Sequence, residues 1–344
     1  MALPVWGERR HIAVHAVTAV PTVPTPLAVL AAAALAGQPR AARAQDGASF
    51  PTRPVRIVVP FPPGGTNDIL GRLFAGKLTE RMGWTVVVEN RTGAGSAIGA
   101  NSVATAAPDG TTLLVASPSH PILGVVQKLP YDPVKSFSPV ALLGTGPSAV
   151  TVTPTLPVNT LAELIALAKA KPGALSYGSA GAGTANHFVS EYFNQTAKIN
   201  VLHVAYKGGG PAINDVMAGH IQDYHAGLAS LLPLIRAGKL KSLAITSRER
   251  SPAAPELPPV ANTLPGFGAL NWYGMLTAPN TPAALVARLN GAVNTVLRDP
   301  DIVKRLESEG IQPTPVTPEY VGKLIADDVA KWATVGKAAG ITAQ

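Results

Sequence analysis

Val55-Arg56-Ile57-Val58-Val59-Pro60-Phe61-Pro62-Pro63-Gly64-Gly65-Thr66-Asn67-Asp68 is the stretch that decides the fold. Val55, Ile57, Val58 and Val59 form a β-branched, nearly continuous apolar run, which suits a strand covered on both faces in a parallel sheet. The prolines and glycines that follow forbid more strand or helix. Thr66 reads as an N-cap, and Ile69, Leu70, Leu73, Phe74, Leu78 and Met82 recur at three- and four-residue spacing until Gly83 ends the helix. A strand, a glycine turn and a helix N-terminus leave unpaired N–H groups at the carboxyl end of the strand, where the helix dipole favours negative charge. Such a turn is either a plain crossover or an anion site.

The alternation continues outward. Thr85 to Glu89 reads as a strand, Ser96 caps a helix from Ala97 to Ala107, Pro108-Asp109-Gly110 is a turn, and Thr112 to Ala116 is a third strand. This βαβαβ order calls for a parallel sheet with right-handed crossovers, so the loop Ser117 to His120 emerges beside Pro60 to Thr66. Val140 to Leu143 and Ala149 to Val152 flank Gly144-Thr145-Gly146-Pro147, where the chain is expected to cross into a second domain. Thr160 with Glu163 is a capping box opening a helix to Ala170. The strand Leu175 to Tyr177, the glycine loop Gly178 to Thr184 and a helix through Phe188 and Tyr192 repeat the chemistry of the opening turn. A strand from Asn200 to Ala205, a loop from Tyr206 to Pro211, a helix from Ala212 to Met217 and strands at Ile221 to His225 and Ser242 to Thr246 complete the second sheet. Leu270 to Ala278 reads as a return strand, and helices at 282–297, 301–309 and 318–339 pack on the first domain. Two α/β lobes result, each a mostly parallel sheet flanked by helices, joined by two crossing strands. Domain 1 is 45–146 with 275–344, and domain 2 is 147–274.

The 344-residue chain is too long for one ordinary core. Its first 44 residues differ from the rest. Arg9 and Arg10 precede an apolar run of ten residues, Leu27 to Ala36, and Ala42-Arg43-Ala44 places small residues where a signal peptidase reads. That is a secretory signal, with cleavage expected after Ala44 and a periplasmic destination. The run is well short of the roughly 20 residues that cross a bilayer. Losing four basic residues and one acidic takes the net charge from +8 to +5. Only 5% of residues are aromatic and no clustered Lys/Arg run appears, which excludes a nucleic-acid surface. Cysteine is absent.

Gly93-Ala94-Gly95-Ser96-Ala97-Ile98-Gly99 places its helix-side glycine one residue too far for a dinucleotide turn, and no G-x-x-x-x-G-K-[ST] occurs. Tyr177-Gly178-Ser179-Ala180-Gly181 nearly spells the nucleophile elbow, but Tyr177 replaces its first glycine. A serine hydrolase using Ser179 and His187 is therefore the alternative rather than the main reading, and a ligand sensor without a transport role is the other. Asp68 lies in the first turn of the opening helix, where it interacts with the dipole and can accept N–H bonds from the turn. Lys207 is the one cation in the cleft loops. The histidines lie on different elements without metal-ligand spacing, so no metal, cofactor or catalytic residue is expected.

The opening stretch closely resembles that of the Bug-type solute receptors, the extracytoplasmic binding proteins of tripartite tricarboxylate transporters. Val87-Val88-Glu89-Asn90-Arg91 with Gly93-Ala94-Gly95, Ala107-Pro108-Asp109-Gly110, Leu129-Pro130-Tyr131-Asp132-Pro133, Tyr206-Lys207-Gly208, Trp272-Tyr273-Gly274 and Ala278-Pro279 agree in order. The resemblance covers about residues 50 to 341. It implies a two-lobed periplasmic-binding-protein fold, type II-like, which closes on a small carboxylate and delivers it to membrane transporter subunits. A monomer without catalysis is expected. It carries ligand contacts to Phe61, Pro63, Gly64, Gly65, Thr66, Asn67 and Asp68 in one lobe. Ser179, Ala180, Gly181, Gly183, Thr184 and His187 answer from the other, and Ser117, Ser119, Thr145 and Gly227 are placed by strand ends. One departure stands out: where the family reads Gly-Gln-Val-Asp before an aromatic, this chain has Gly219-His220-Ile221-Gln222, and His225 stands at the aromatic's place. His225 is thereby a candidate for a second carboxylate. Dicarboxylates, tricarboxylates, amino acids and aromatic acids all remain open.

Overall fold

The computed structural model describes residues 50–338, 340 and 341; the leader and its cleavage site lie outside the described residues. β1 (Val55–Val59), α1 (Thr66–Met82), β2 (Val86–Asn90), α2 (Ala97–Ala104) and β3 (Thr112–Ala116) form the opening βαβαβ unit. β1 runs parallel to both neighbours, with Val55 opposite Val86 and Ile57 opposite Leu113. Gly65, not Thr66, is the N-cap of α1, and Gly83 closes it in the left-handed conformation with its N–H on Thr79. Ser96 makes no side-chain cap and α2 stops at Ala104. The expected loop at Ser117 to His120 instead enters a short helix, α3 (Ser119–Val126).

β4 (Ser138–Val152) is one strand of 15 residues, although its sequence reads as two apolar runs around a break. Its glycines serve close approach rather than a turn. A Cβ at Gly144 would lie 2.7 Å from the Gln312 carbonyl oxygen, and one at Gly146 would lie 2.7 Å from that of Gly310. Thr145 between them exchanges two backbone bonds with Gln312, at 3.0 and 2.7 Å.

The second lobe comprises α4 (Leu161–Ala170), β5 (Ser176–Ser179), α5 (Ala185–Ala197), β6 (Leu202–Ala205), α6 (Gly209–Ala218), β7 (Asp223–Gly227), α7 (Leu228–Arg236) and β8 (Lys241–Ile245). Thr160 caps α4 as expected, accepting from the Glu163 N–H at 3.2 Å, while the Glu163 carboxylate reaches the Asn159 N–H. β5 is parallel to β6 and β7. β9 (Leu270–Thr277) returns to the first lobe, followed by α8 (Ala283–Leu297), α9 (Pro300–Ser308) and α10 (Pro318–Ala338).

The strand order is β2-β1-β3-β9-β4-β7-β5-β6, with β8 also on β4. β9 is antiparallel to β3, so the first sheet is mixed rather than wholly parallel. β4 pairs with β9 up to Pro147 and with β7 and β8 from Ser148 onward. Two lobes therefore share β4 and meet along the β4–β9 pair. α1 and α8 cover one face of the first sheet through Phe74, Leu78, Leu289 and Val293. On the other face, Trp332 of α10 packs edge-on to Phe188 of α5, with ring centroids 5.9 Å apart, so one core reaches across both lobes. No helix of the described residues is long and apolar enough to cross a membrane.

Candidate functional site

The β1–α1 turn is built around Asp68. Gly64 holds φ at 91°, a left-handed conformation that a side chain would strain. Its N–H donates to Asp68 Oδ2 at 3.1 Å, Arg72 Nε donates to the same oxygen at 3.0 Å, and Asn90 Nδ2 donates to Oδ1 at 2.9 Å. Asn90 Nδ2 also reaches the Phe61 carbonyl at 3.0 Å, so the turn is anchored at both ends. Burial pushes the Asp68 carboxyl up, but bonds from Arg72, Asn90 and Gly64 outweigh it and hold the group below the usual carboxylate range. Asn67 ties the helix start to β3 through the Val115 carbonyl at 3.0 Å.

The β5–α5 loop is held by two histidines. Ser179 Oγ, fully buried, lies 2.6 Å from His203 Nε2 and accepts the Gly181 N–H at 3.2 Å. His187 Nδ1 accepts the Gly183 N–H at 3.1 Å, which requires that nitrogen to be unprotonated. The two rings stack with centroids 3.9 Å apart. Burial lowers both to about 4, helped at His187 by the neighbouring His203, so both are neutral at ordinary pH. The hydrolase alternative paired Ser179 with His187; the partner is His203, and the hydroxyl is buried in the loop instead of being presented to the cleft.

The lobes touch across these turns. Thr184 donates its hydroxyl to the Gly181 carbonyl at 2.6 Å, leaving the first N–H of α5, on Ala185, for Ser119 Oγ of the opposite lobe at 2.9 Å. Between the turns lies a cavity of about 70 Å³. Of the residues expected at the site, Phe61, Gly65, Thr66, Asn67, Ser117, Ser119, Ala180 and Gly227 line it together. Pro63, Gly64, Asp68, Ser179, Gly181, Gly183, Thr184 and His187 lie in the turns but not on its wall. Lys207 is exposed and not on the wall. Thr145 faces a separate groove on the hinge strands. His225 is fully buried, edge-on to Phe193 and 3.2 Å from Asp223, while its strand neighbours Tyr224 and Ala226 line the cavity.

The sequence reading missed Pro62, Ala185, Asn186, Gly209, Ile213, Tyr224, Ala226, Ser230, Asn271 and Tyr273 on the wall. The rule that found the first two turns, a helix starting at a strand's carboxyl end, also points to Gly209 and Ser230. Side-chain alternation along β7 and β9 would have found Tyr224 beside His225, and Asn271 and Tyr273 around Trp272.

The cavity wall carries no Lys, Arg, His, Asp or Glu. Its electrostatics come from helix ends. α1, α3, α5, α6 and α7 all begin there, through Thr66, Ser119, Ala185, Gly209 and the cap Gly227. Each contributes roughly half a positive charge with unpaired N–H groups, which suits an anion. Burial pushes the Tyr273 hydroxyl up to about 12, and Tyr224 is also raised by burial, so both remain neutral donors. Among the described residues no cluster of His, Cys, Asp or Glu could hold a metal ion.

Two α/β lobes on shared crossing strands, closed over an anion-favouring cavity, define a periplasmic-type solute-binding protein. The pattern of the tripartite tricarboxylate transporter family receptor matches residues 70–341, and the chain belongs to that family. It is similar to Protein BugT of Bordetella pertussis, 33% identical over 296 residues that span 85% of this chain and 91% of that protein. Among solved structures it resembles an R. palustris protein with adipate, at TM-score 0.83 and 32% identity over 86% of this chain and all of the other. MatC from Rhodopseudomonas palustris with bound malate superposes at TM-score 0.79 and 32% identity, over 83% of this chain and 99% of that one.

Proposed function

We propose that this chain is an extracytoplasmic receptor that closes on a small carboxylate in the interlobe cavity and delivers it to the membrane subunits of a tripartite tricarboxylate-type transporter. The observation that carries the reading is the convergence of five helix N-termini on a cavity with no charged side chain on its wall. Backbone N–H groups, hydroxyls and amides hold the carboxylate there. Relatives solved with adipate and malate favour a short dicarboxylate within the carboxylate class. Phe61, Gly65, Thr66, Asn67, Ser117, Ser119, Ala180 and Gly227 meet the ligand, and Asp68, Ser179 and His187 shape the turns that present it. The secreted form is a periplasmic monomer starting at Gln45, its lobes dividing as 45–146 with 275–344 and 147–274. The change of β4 partners at Pro147 and Ser148 supports that boundary.

The test is a thermal-shift screen of residues 45–344, unfolded and refolded to strip bound ligand, against a panel of small carboxylates. An acid at 100 times its dissociation constant is expected to stabilise the protein by about 2.7 kcal/mol, a readily visible shift. A folded protein that responds to no acid contradicts the reading.

A further inference from the structure

A second concavity, of about 770 Å³, lies on the hinge. It shares only Asn271 with the interlobe cavity. Its floor is the crossing pair, Thr145 to Pro147 of β4 and Leu270 to Trp272 of β9. One wall is the segment after β8, Ser247 to Pro252, from the second lobe; the other is α10 with Gly310 to Gln312 from the first.

Six charged side chains line this groove: Arg248, Glu249, Arg250, Glu307, Asp328 and Lys331. Among the described residues none of them forms an ion pair, although both signs are present. Asp328 is only 8% exposed, and its single hydrogen-bond partner from the groove floor is Trp272 Nε1, donating to Oδ2 at 2.6 Å. The nearby Lys331 ammonium sits 4.6 Å over the Trp332 ring. A buried carboxylate without a directly paired cation is costly, and burial holds Asp328 above the usual carboxylate range, only partly offset by the Trp272 bond and the charge of Lys331. Of the five exposed large hydrophobic residues among the described residues, the groove holds two, Leu270 and Tyr320, at 51% and 52% exposure. Apolar surface of this kind, collected in a concavity, marks a place of contact.

The walls differ in chemistry. The second-lobe wall carries Arg248, Glu249 and Arg250 and is net positive, the first-lobe wall carries Glu307, the nearly buried Asp328 and Lys331 and is net negative, and the floor between them is aromatic and aliphatic. We propose that this hinge groove is a second ligand site, which takes a small zwitterion with an apolar body, of the class of aromatic or branched amino acids. The ammonium meets Asp328, the carboxylate meets the guanidinium fork of Arg248 with support from Arg250, whose Nη1 donates to the Pro255 carbonyl, and the side chain lies on Leu270, Trp272 and Tyr320.

L-Phenylalanine is the probe, titrated into the purified protein by calorimetry and by tryptophan fluorescence, which Trp272 reports. Saturable binding is expected, weakened at least tenfold in Asp328→Asn and in Arg248→Gln. Asparagine keeps an acceptor for Trp272 Nε1, and Arg248 is exposed, so the second variant leaves folding alone. Phenethylamine and 3-phenylpropionate, each lacking one charge, are expected to bind at least tenfold more weakly. No saturable binding up to about 10 mM overturns the proposal. So does wild-type affinity in both variants, which places phenylalanine elsewhere, or binding of either singly charged analogue as tight as that of phenylalanine.

Discussion

Gly227→Val is expected to weaken ligand binding by roughly 5- to 150-fold while leaving the unliganded protein folded. Gly227 has φ −50° and ψ 129°, a backbone that any residue adopts, so the substitution carries no conformational strain of its own. The obstacle is distance. A Cβ there would lie 2.7 Å from Thr66 Oγ1 of the first lobe and 2.6 Å from the Tyr273 hydroxyl on the crossing strand. Gly227 and Thr66 belong to different lobes, so opening is expected to part them, and the added bulk is expected to oppose the closed arrangement more than an open one. Overpacking of this kind costs about 1–3 kcal/mol, and each 1.4 kcal/mol is about tenfold in affinity. Titration of the variant beside thermal unfolding without ligand checks both halves. Unchanged affinity would mean that closure does not bring Gly227 against Thr66.

Asp68→Ala carries the second large effect. The carboxylate accepts from the Gly64 N–H, Arg72 and Asn90, and its side chain is 6% exposed. Arg72 is 53% exposed and contributes little through its charge. The bonds from Gly64 and Asn90 are the ones that fix the turn. Their loss is expected to cost about 2–3 kcal/mol of stability and to weaken ligand binding, because the N–H groups of Gly65 to Asn67 lose their fixed direction. The folded pKa of Asp68 lies below its ordinary 3.8. Its contribution is therefore full at neutral pH and fades as the pH falls through the folded value, so wild type and variant converge in strong acid. Urea unfolding at neutral and acid pH measures this; equal midpoints at neutral pH would reduce Asp68 to a bystander in the turn.

How far the sequence could be read follows from where its signals are local. The strand, turn and helix from Val55 to Met82 were legible because apolar period, glycine and helix stop lie within one short segment. The same held for the β5–α5 loop. β4 reads as two pieces in sequence, because Gly144 and Gly146 look like a break unless the Gly310 to Gln312 segment is known to press against them. β9 is legible as a return strand, but its antiparallel pairing with β3 and β4 is not, since pairing partners lie far apart in sequence.

At the site, the turns were legible and the wall was only half so. His225 stood out as an unusual residue, yet strand alternation turns it into the core and gives the cavity Tyr224 and Ala226 instead. Lys207 is the conspicuous cation in the cleft loops, whereas the wall has none and its positive potential comes from helix ends. His203 received no role in the sequence because nothing local connects it to Ser179; β5 and β6 lying side by side do that.

The most direct measurement is a calorimetric titration of the stripped protein, residues 45–344, with short dicarboxylates such as adipate and malate and with their uncharged diamides. One-to-one binding of an acid, absent for its diamide and sharply weakened in Gly227→Val, is the predicted result. Equal binding of acid and diamide, or an acid whose affinity Gly227→Val leaves untouched, would contradict a carboxylate held by helix N-termini between closing lobes.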